Sequence, residues 1–314
     1  RCFIYGGADQ RKAWGFVLSG FLFSYNYFEK DISSSFTNSI LFSLKRIAKL
    51  YPLYMCAVIA LLPLNGLQNH SISENISTLA IHILLLQSWF SDIDIVYGQT
   101  GVGWYLSSIL FIFVLIPYTL RFIKQCNNKK ILLIIGMSLI LLQILGTYYT
   151  PFNMYTFPIS RYVDVCIGCI MGFFYLNRKN KEIRHEKVKY TFYEITAIAI
   201  TIFTNYLNAK GKIGDTYAYL PSTIMLVYVF ALNRGYISHI LTNRFSVFIG
   251  NISGYIYLIH MVVMRWLIVI AKYIFHTEID LVSLNILTII LTVFSAYLWK
   301  QIISLQYWRR PQNT

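Results

Sequence analysis

The stretch LKRIAKLYPLY (residues 44–54) sets three basic residues, Lys45, Arg46 and Lys49, directly before an apolar segment. It reads as the inner rim of a membrane span. Pro52 suits the first turn of a helix, where the opening N–H groups have no intrahelical partner. Cations at that depth meet lipid phosphates or the phosphates of a bound ligand, or they simply hold the loop inside.

The rest of the 314-residue chain supports a membrane reading. It is 56% hydrophobic and 13% charged, with a mean hydropathy of +0.54, which is too apolar for a water-soluble domain. The net charge of +14 would suggest a nucleic-acid partner in a soluble protein. Here the Lys and Arg concentrate in short loops between apolar runs, which excludes nucleic acid and marks cytoplasmic loops instead.

Nine runs approach the roughly 20 apolar residues that a span requires. They are Ala13–Phe28, Leu50–Leu64, Gly103–Leu120, Ile131–Tyr149, Pro158–Leu176, Tyr190–Leu207, Thr216–Leu232, Ser246–Ala271 and Leu281–Trp299. A tenth, Ile76–Phe90, is short. Segments 29–49, 121–130, 177–189, 233–245 and the tail from Lys300 carry 19 Lys and Arg against 2 in 65–101, 150–157, 208–215 and 273–280, a strong orientation signal that puts the C-terminus in the cytoplasm and Arg1–Lys12 outside. A full span at Ile76–Phe90 would destroy that asymmetry. It is therefore expected as a re-entrant or interfacial helix on the outer side, with His82, Asp92 and Asp94 in or near water. The fold expected is an all-α polytopic bundle forming one integral-membrane domain over residues 1–314. The chain starts at Arg1 rather than Met, and an outside start implies a preceding span that is missing.

Ionisable groups inside spans are costly and mark candidate sites. Arg161 and Asp164, three apart near the outer end of their span, share a helix face. They form either a site or an intrahelical ion pair that lowers the cost of burial. Gly168 and Gly172 allow close approach of a neighbouring helix. Ser253, Tyr257 and His260 fall on one stripe, with His260 about 21 Å into the membrane at 1.5 Å per residue. Arg265 lies near the outer end, in position to snorkel. Trp104 and Ser107 are expected at the outer interface, and Ser19-Gly20 at mid-depth, where the glycine permits close packing and the serine reaches across helices. Glu194 stands near the inner end of its span, within reach of the basic loop 177–189.

Weaker signals carry little. Five cysteines, Cys2, Cys56, Cys126, Cys166 and Cys169, suggest no disulfide framework, and Cys166 and Cys169 read as small packing residues rather than a metal or redox pair. Asn69-His-Ser71 and Asn75-Ile-Ser77 match the glycosylation pattern at the level of chance. No phosphate-binding loop, dinucleotide fingerprint or serine-hydrolase elbow is present.

Taken in order, GFVLSGFLFSYNY (15–27), LKRIAKLYPLY (44–54), LLLQSWF (84–90), GWYLSSILFIFVLIP (103–117), ISRYVDVCIGCIMG (159–172) and FIGNISGYIYLIHMVVMRW (248–266) resemble the acyltransferase 3 family of multispanning membrane O-acyltransferases. Lys45, Arg46 and Pro52 match its basic–proline motif. Trp104 and Ser107 match its WxLS motif, Arg161 and Asp164 its Arg–acid pair, and Ser253, Tyr257 and His260 its last motif.

The resemblance implies transfer of an acyl group, commonly acetyl from acetyl-CoA, to a hydroxyl of a polysaccharide or lipid-linked glycan, in a bacterial inner membrane and without a metal. On this reading Lys45, Arg46 and Lys49 hold the CoA phosphates, while Trp104, Ser107, Arg161, Asp164, Tyr257 and His260 line the acceptor cavity. Arg161 stabilises the oxyanion and Asp164 fixes the arginine. Two departures stand out. The family's catalytic histidine, about eleven residues after an arginine in the first span, has no counterpart in this sequence. Many members also carry a Glu two residues after the WxLS serine, where this chain has Ile109. The competing readings are a glycan or lipid-linked-sugar transporter and a non-catalytic assembly scaffold.

Overall fold

The computed structural model describes residues 13–30, 35–65, 72–126, 128–179, 186–211 and 216–308, and among them the regular structure is helical. In chain order the helices are α1 (Ala13–Tyr27), α2 (Phe36–Ile47), α3 (Tyr51–Asn65), α4 (Ile72–Ile83), α5 (Ile93–Tyr97), α6 (Trp104–Cys126) and α7 (Lys129–Tyr149). They continue as α8 (Pro158–Lys179), α9 (Lys187–Ala209), α10 (Leu220–Leu232), α11 (Tyr236–Leu241), α12 (Arg244–Tyr273) and α13 (Leu281–Trp308). Arg1–Lys12 with Cys2, and the Asn69–Ser71 match, lie outside the described residues.

Every one of the nine apolar runs is helical. Among the described residues five helices are long and apolar enough to cross a membrane, α6, α7, α8, α12 and α13, or six if α2 and α3 count as one bent span. The expected nine full spans do not follow from these lengths. Helices α1 and α3 have 15 residues each and α10 has 13, short of about 20, and α9 carries Lys187, Lys189 and Glu194. The short outer run also departs from a single helix. Helix α4 stops at Ile83, and a 3₁₀ turn follows at Gln87–Trp89. Leu85 takes a left-handed φ of 56°, with Leu86 N–H donating to the Ile81 carbonyl and Leu85 N–H to the His82 carbonyl. This is the pairing that terminates helices.

The chain divides into two compact units, residues 1–44 with 108–243, and residues 45–107 with 244–314. In the first, α1 lies against α8 at unusually short range. Gly20, Gly168 and Gly172 make that possible: a Cβ on Gly168 would strike the Val17 carbonyl, one on Gly20 the Val165 carbonyl, and one on Gly172 the Ser24 side chain. Small residues drive helix association in lipid because tails offer no hydrophobic gain between helices. Val17, Phe21, Val163, Ile167, Met171 and Leu220 form a buried core there. The Cys169 thiol donates to the Gly20 carbonyl at 3.3 Å, which fits its role as a small packing residue. Ser19 does not reach across helices as expected; its hydroxyl donates to Gly15 on its own helix at 2.6 Å.

In the second unit the 30-residue α12 packs on α13 and α3. The Trp266 indole N–H donates to the Ala60 carbonyl at 3.0 Å, and Arg265 donates to Asn65 Oδ1 at 3.1 Å. Arg265 therefore bridges two helices rather than merely snorkelling. Asp280 caps α13 by accepting from Val282 and Ser283 N–H, and a hydrogen bond from the Ser283 side chain together with these N–H groups holds its exposed carboxyl below the usual range.

Candidate active site

The sequence-predicted residues divide between the units: Arg161 and Asp164 belong to the first, and Lys45, Arg46, Lys49, Trp104, Ser107, Tyr257 and His260 to the second.

In the first unit Arg161 Nη1 stands 2.7 Å from Asp164 Oδ2, and neither side chain has exposed surface. Spacing of three on α8 places them one turn apart. Arg161 Nη2 also donates to the Met154 carbonyl at 3.1 Å and to Ser160 Oγ at 3.2 Å. The Gln143 amide nitrogen on α7 donates to Asp164 Oδ1 and to Ser160 Oγ, both at 3.0 Å. Gln143 is 3% exposed and is the residue that sequence reasoning missed; a lone amide within the apolar run 131–149 was the available signal. The guanidinium lies 5.7 Å from the centroid of the Phe16 ring, on α1. Arg161 Nε has no hydrogen-bond partner among the described residues. A buried cation with one donor unused, beside an aromatic face, can receive one further polar group.

In the second unit Trp104 and Ser107 open α6, but not as interface anchors. Trp104 is 0% exposed and Ser107 1%. Ser107 Oγ stands 2.5 Å from Ser88 Oγ and accepts from Ser88 N–H at 3.3 Å, tying α6 to the 3₁₀ turn. Tyr105 meets Tyr257 edge to face at 5.2 Å between centroids, which brings α6 and α12 together next to Trp104. His260 Nδ1 lies 2.7 Å from the Tyr257 carbonyl one turn back on its own helix. The expected stripe is only partly realised. Ser253 is exposed, and its hydroxyl donates to the Gly250 carbonyl.

The basic triplet sits where α2 ends. Lys45 and Arg46 occupy its last turn, where the negative end of the helix dipole favours cations, and Lys49 lies in the break before α3. Lys45 and Lys49 are exposed and Arg46 is half-buried. Pro52 is the second residue of α3, as its fixed φ predicts. Ile109, at the position where an acid was absent, is buried.

Two further polar constructions escaped the sequence. His82, expected in or near water, is fully buried. Its Nε2 lies 2.7 Å from the Ile95 carbonyl and its Nδ1 3.2 Å from the Tyr54 hydroxyl. Burial pushes its pKa down to about 4. Asp92 and Asp94 are exposed, and Asp92 caps α5. Glu194, expected to reach the basic loop, is buried and accepts from the N–H groups of Gly235, Ile237 and Ser238 at 3.2, 3.0 and 3.3 Å. It fixes the start of α11. The Glu194 contacts join residues more than 40 positions apart, and periodicity does not reveal them.

The apolar helices and the polar groups buried among them define an integral membrane protein. A family model described as an acyltransferase domain matches residues 16–304, and the chain belongs to the acyltransferase 3 family. No curated protein and no solved structure matches it.

Proposed function

We propose that this membrane acyltransferase moves an acetyl group from acetyl-CoA, taken from the cytoplasmic side, to a hydroxyl of a cell-surface or exported polysaccharide, in a bacterial inner membrane with the C-terminus cytoplasmic. The observation that carries the reading is the basic triplet Lys45, Arg46 and Lys49 at the end of α2, within a chain of this family. Lys45 and Lys49 are exposed, and the negative end of the α2 dipole holds Lys45 and Arg46 as cations; it is the charge of the three side chains that suits the phosphates of CoA.

In the transfer, the acceptor oxygen attacks the thioester carbonyl, a C–O bond forms, the C–S bond breaks, and the hydroxyl proton leaves with the CoA thiol. Arg161, held by Asp164, whose carboxylate Gln143 fixes in turn, stabilises the developing oxyanion. Its unused Nε beside Phe16 supports this role. Trp104, Ser107, Tyr257 and His260 orient the acceptor, a lipid-linked or exported glycan. The general base is not assigned to any of these residues.

The test is transfer from labelled acetyl-CoA in vesicles holding the purified protein. Arg46→Ala is expected to raise KM for the donor about tenfold, as loss of one charge-assisted phosphate contact would. Unchanged donor affinity would remove the triplet from the site.

A further inference from the structure

A cavity of about 430 Å³ opens between α7, α8 and α10, wholly within the first unit. It falls in the size range of small-molecule sites. Its wall on α8 is the stripe Ile167, Ile170, Met171 and Phe174, spaced three and four apart, and the stripe ends on Arg178. On α7 the lining begins at Leu132, within one turn of Lys129 and Lys130, and passes through Gly136. The groove is thus apolar along its length and basic at one end.

That end has further features. Arg178 is exposed and makes no ion pair among the described residues. Lys129 and Lys130 are exposed too, on the first turn of a 21-residue helix whose dipole favours an anion there. The alternation of loop charge assigns this end to the cytoplasmic side, although the chemistry stands whichever way the chain is oriented. In hydrocarbon an open apolar groove gains nothing by excluding lipid tails, so selectivity must come from the head group. Basic pockets between spans on the cytoplasmic side hold anionic head groups.

We propose that the groove binds one glycerophospholipid with an anionic head group, its acyl chain lying along Gly136 and Ile170 and its phosphate held by Arg178. Glycine at 136 keeps the channel open: a Cβ there would meet only the Ile170 side chain, at 3.9 Å, so larger residues fit the fold while filling the groove.

The experiment is thermal unfolding and lipid titration by native mass spectrometry of the purified full chain, with phosphatidylglycerol or phosphatidylcholine added to detergent. Phosphatidylglycerol is expected to raise Tm and phosphatidylcholine to do so much less. Arg178→Gln should weaken phosphatidylglycerol binding about fivefold, the effect of one basic residue facing an anionic head group. Arg244→Gln, which removes an exposed charge from the start of α12, should leave it unchanged. Gly136→Leu should abolish the phosphatidylglycerol shift while retaining cooperative melting. Should that variant fail to melt cooperatively, Met137→Phe fills the same groove from an exposed position and should give the same loss. Equal shifts from the two lipids, equal losses in Arg178→Gln and Arg244→Gln, or a full shift in the filled variants would each overturn the proposal.

Discussion

Arg161 Nη1 and Asp164 Oδ2 are 2.7 Å apart on one face of α8, and both side chains are entirely enclosed. Removing one partner leaves an uncompensated buried charge, so Asp164→Ala is expected to cost about 3–5 kcal/mol of stability. Replacing both with leucine should recover most of that loss, since the desolvation cost disappears with the pair. Melting in detergent checks this. The same double variant separates structure from chemistry: if Arg161 stabilises the transition state, transfer stays absent although stability returns.

The glycine contacts between α1 and α8 predict a sharp size limit. At Gly168 even a methyl group meets backbone, which cannot rotate away. Gly168→Ala should destabilise by about 1–3 kcal/mol and Gly168→Leu by more, because an overpacked interface must separate. Gly15, with open space around its Cβ position, should accept alanine without a change in melting temperature.

His82 predicts acid sensitivity. Its folded pKa lies near 4, against an ordinary 6.5, because the charged form is disfavoured in its enclosed site. The unfolded chain therefore takes up the proton first as pH falls. The contribution is level above pH 6.5 and is lost between 6.5 and 4, by up to roughly 3 kcal/mol at 1.36 kcal/mol per pKa unit. Melting temperature followed from pH 7 to pH 4.5 should drop more steeply in the native protein than in His82→Gln. Parallel curves would contradict the assignment.

Glu194 and Gly235 should behave as one unit. Glu194→Ala strands three buried or partly buried N–H groups, at about 1–3 kcal/mol for each left unsatisfied. Gly235→Ala places a methyl group on the Glu194 carboxylate. The two losses should add to less than their sum when combined, because the second change removes a contact already broken.

Much of this was legible in the chain. Hydropathy located all nine long apolar runs as helices, and Gly168 and Gly172 announced a close helix neighbour. Ordered motifs carried the family assignment. The number of full spans did not follow, because the extent of an apolar run does not register where a helix starts and stops within it, as in the 13-residue α10 inside the run 216–232. A position near a span end suggested an interface for Trp104, and an outer re-entrant or interfacial helix suggested water for His82. Both are buried, since enclosure depends on which distant segment covers a residue. Gln143 joins the Arg161 cluster from another helix, 21 residues away from Asp164.

The thiol of Cys169 and the carbonyl of Gly20 are separated by 149 residues of chain. At synthesis rates of about 5–20 residues per second, α1 leaves the ribosome roughly 7–30 s before α8 exists. Throughout that interval its glycine face lacks the α8 surface that it fits. Insertion factors and membrane proteases meet α1 with its glycine face uncovered, so a defect at Gly168 should be read out in the cell as degradation of the newborn chain.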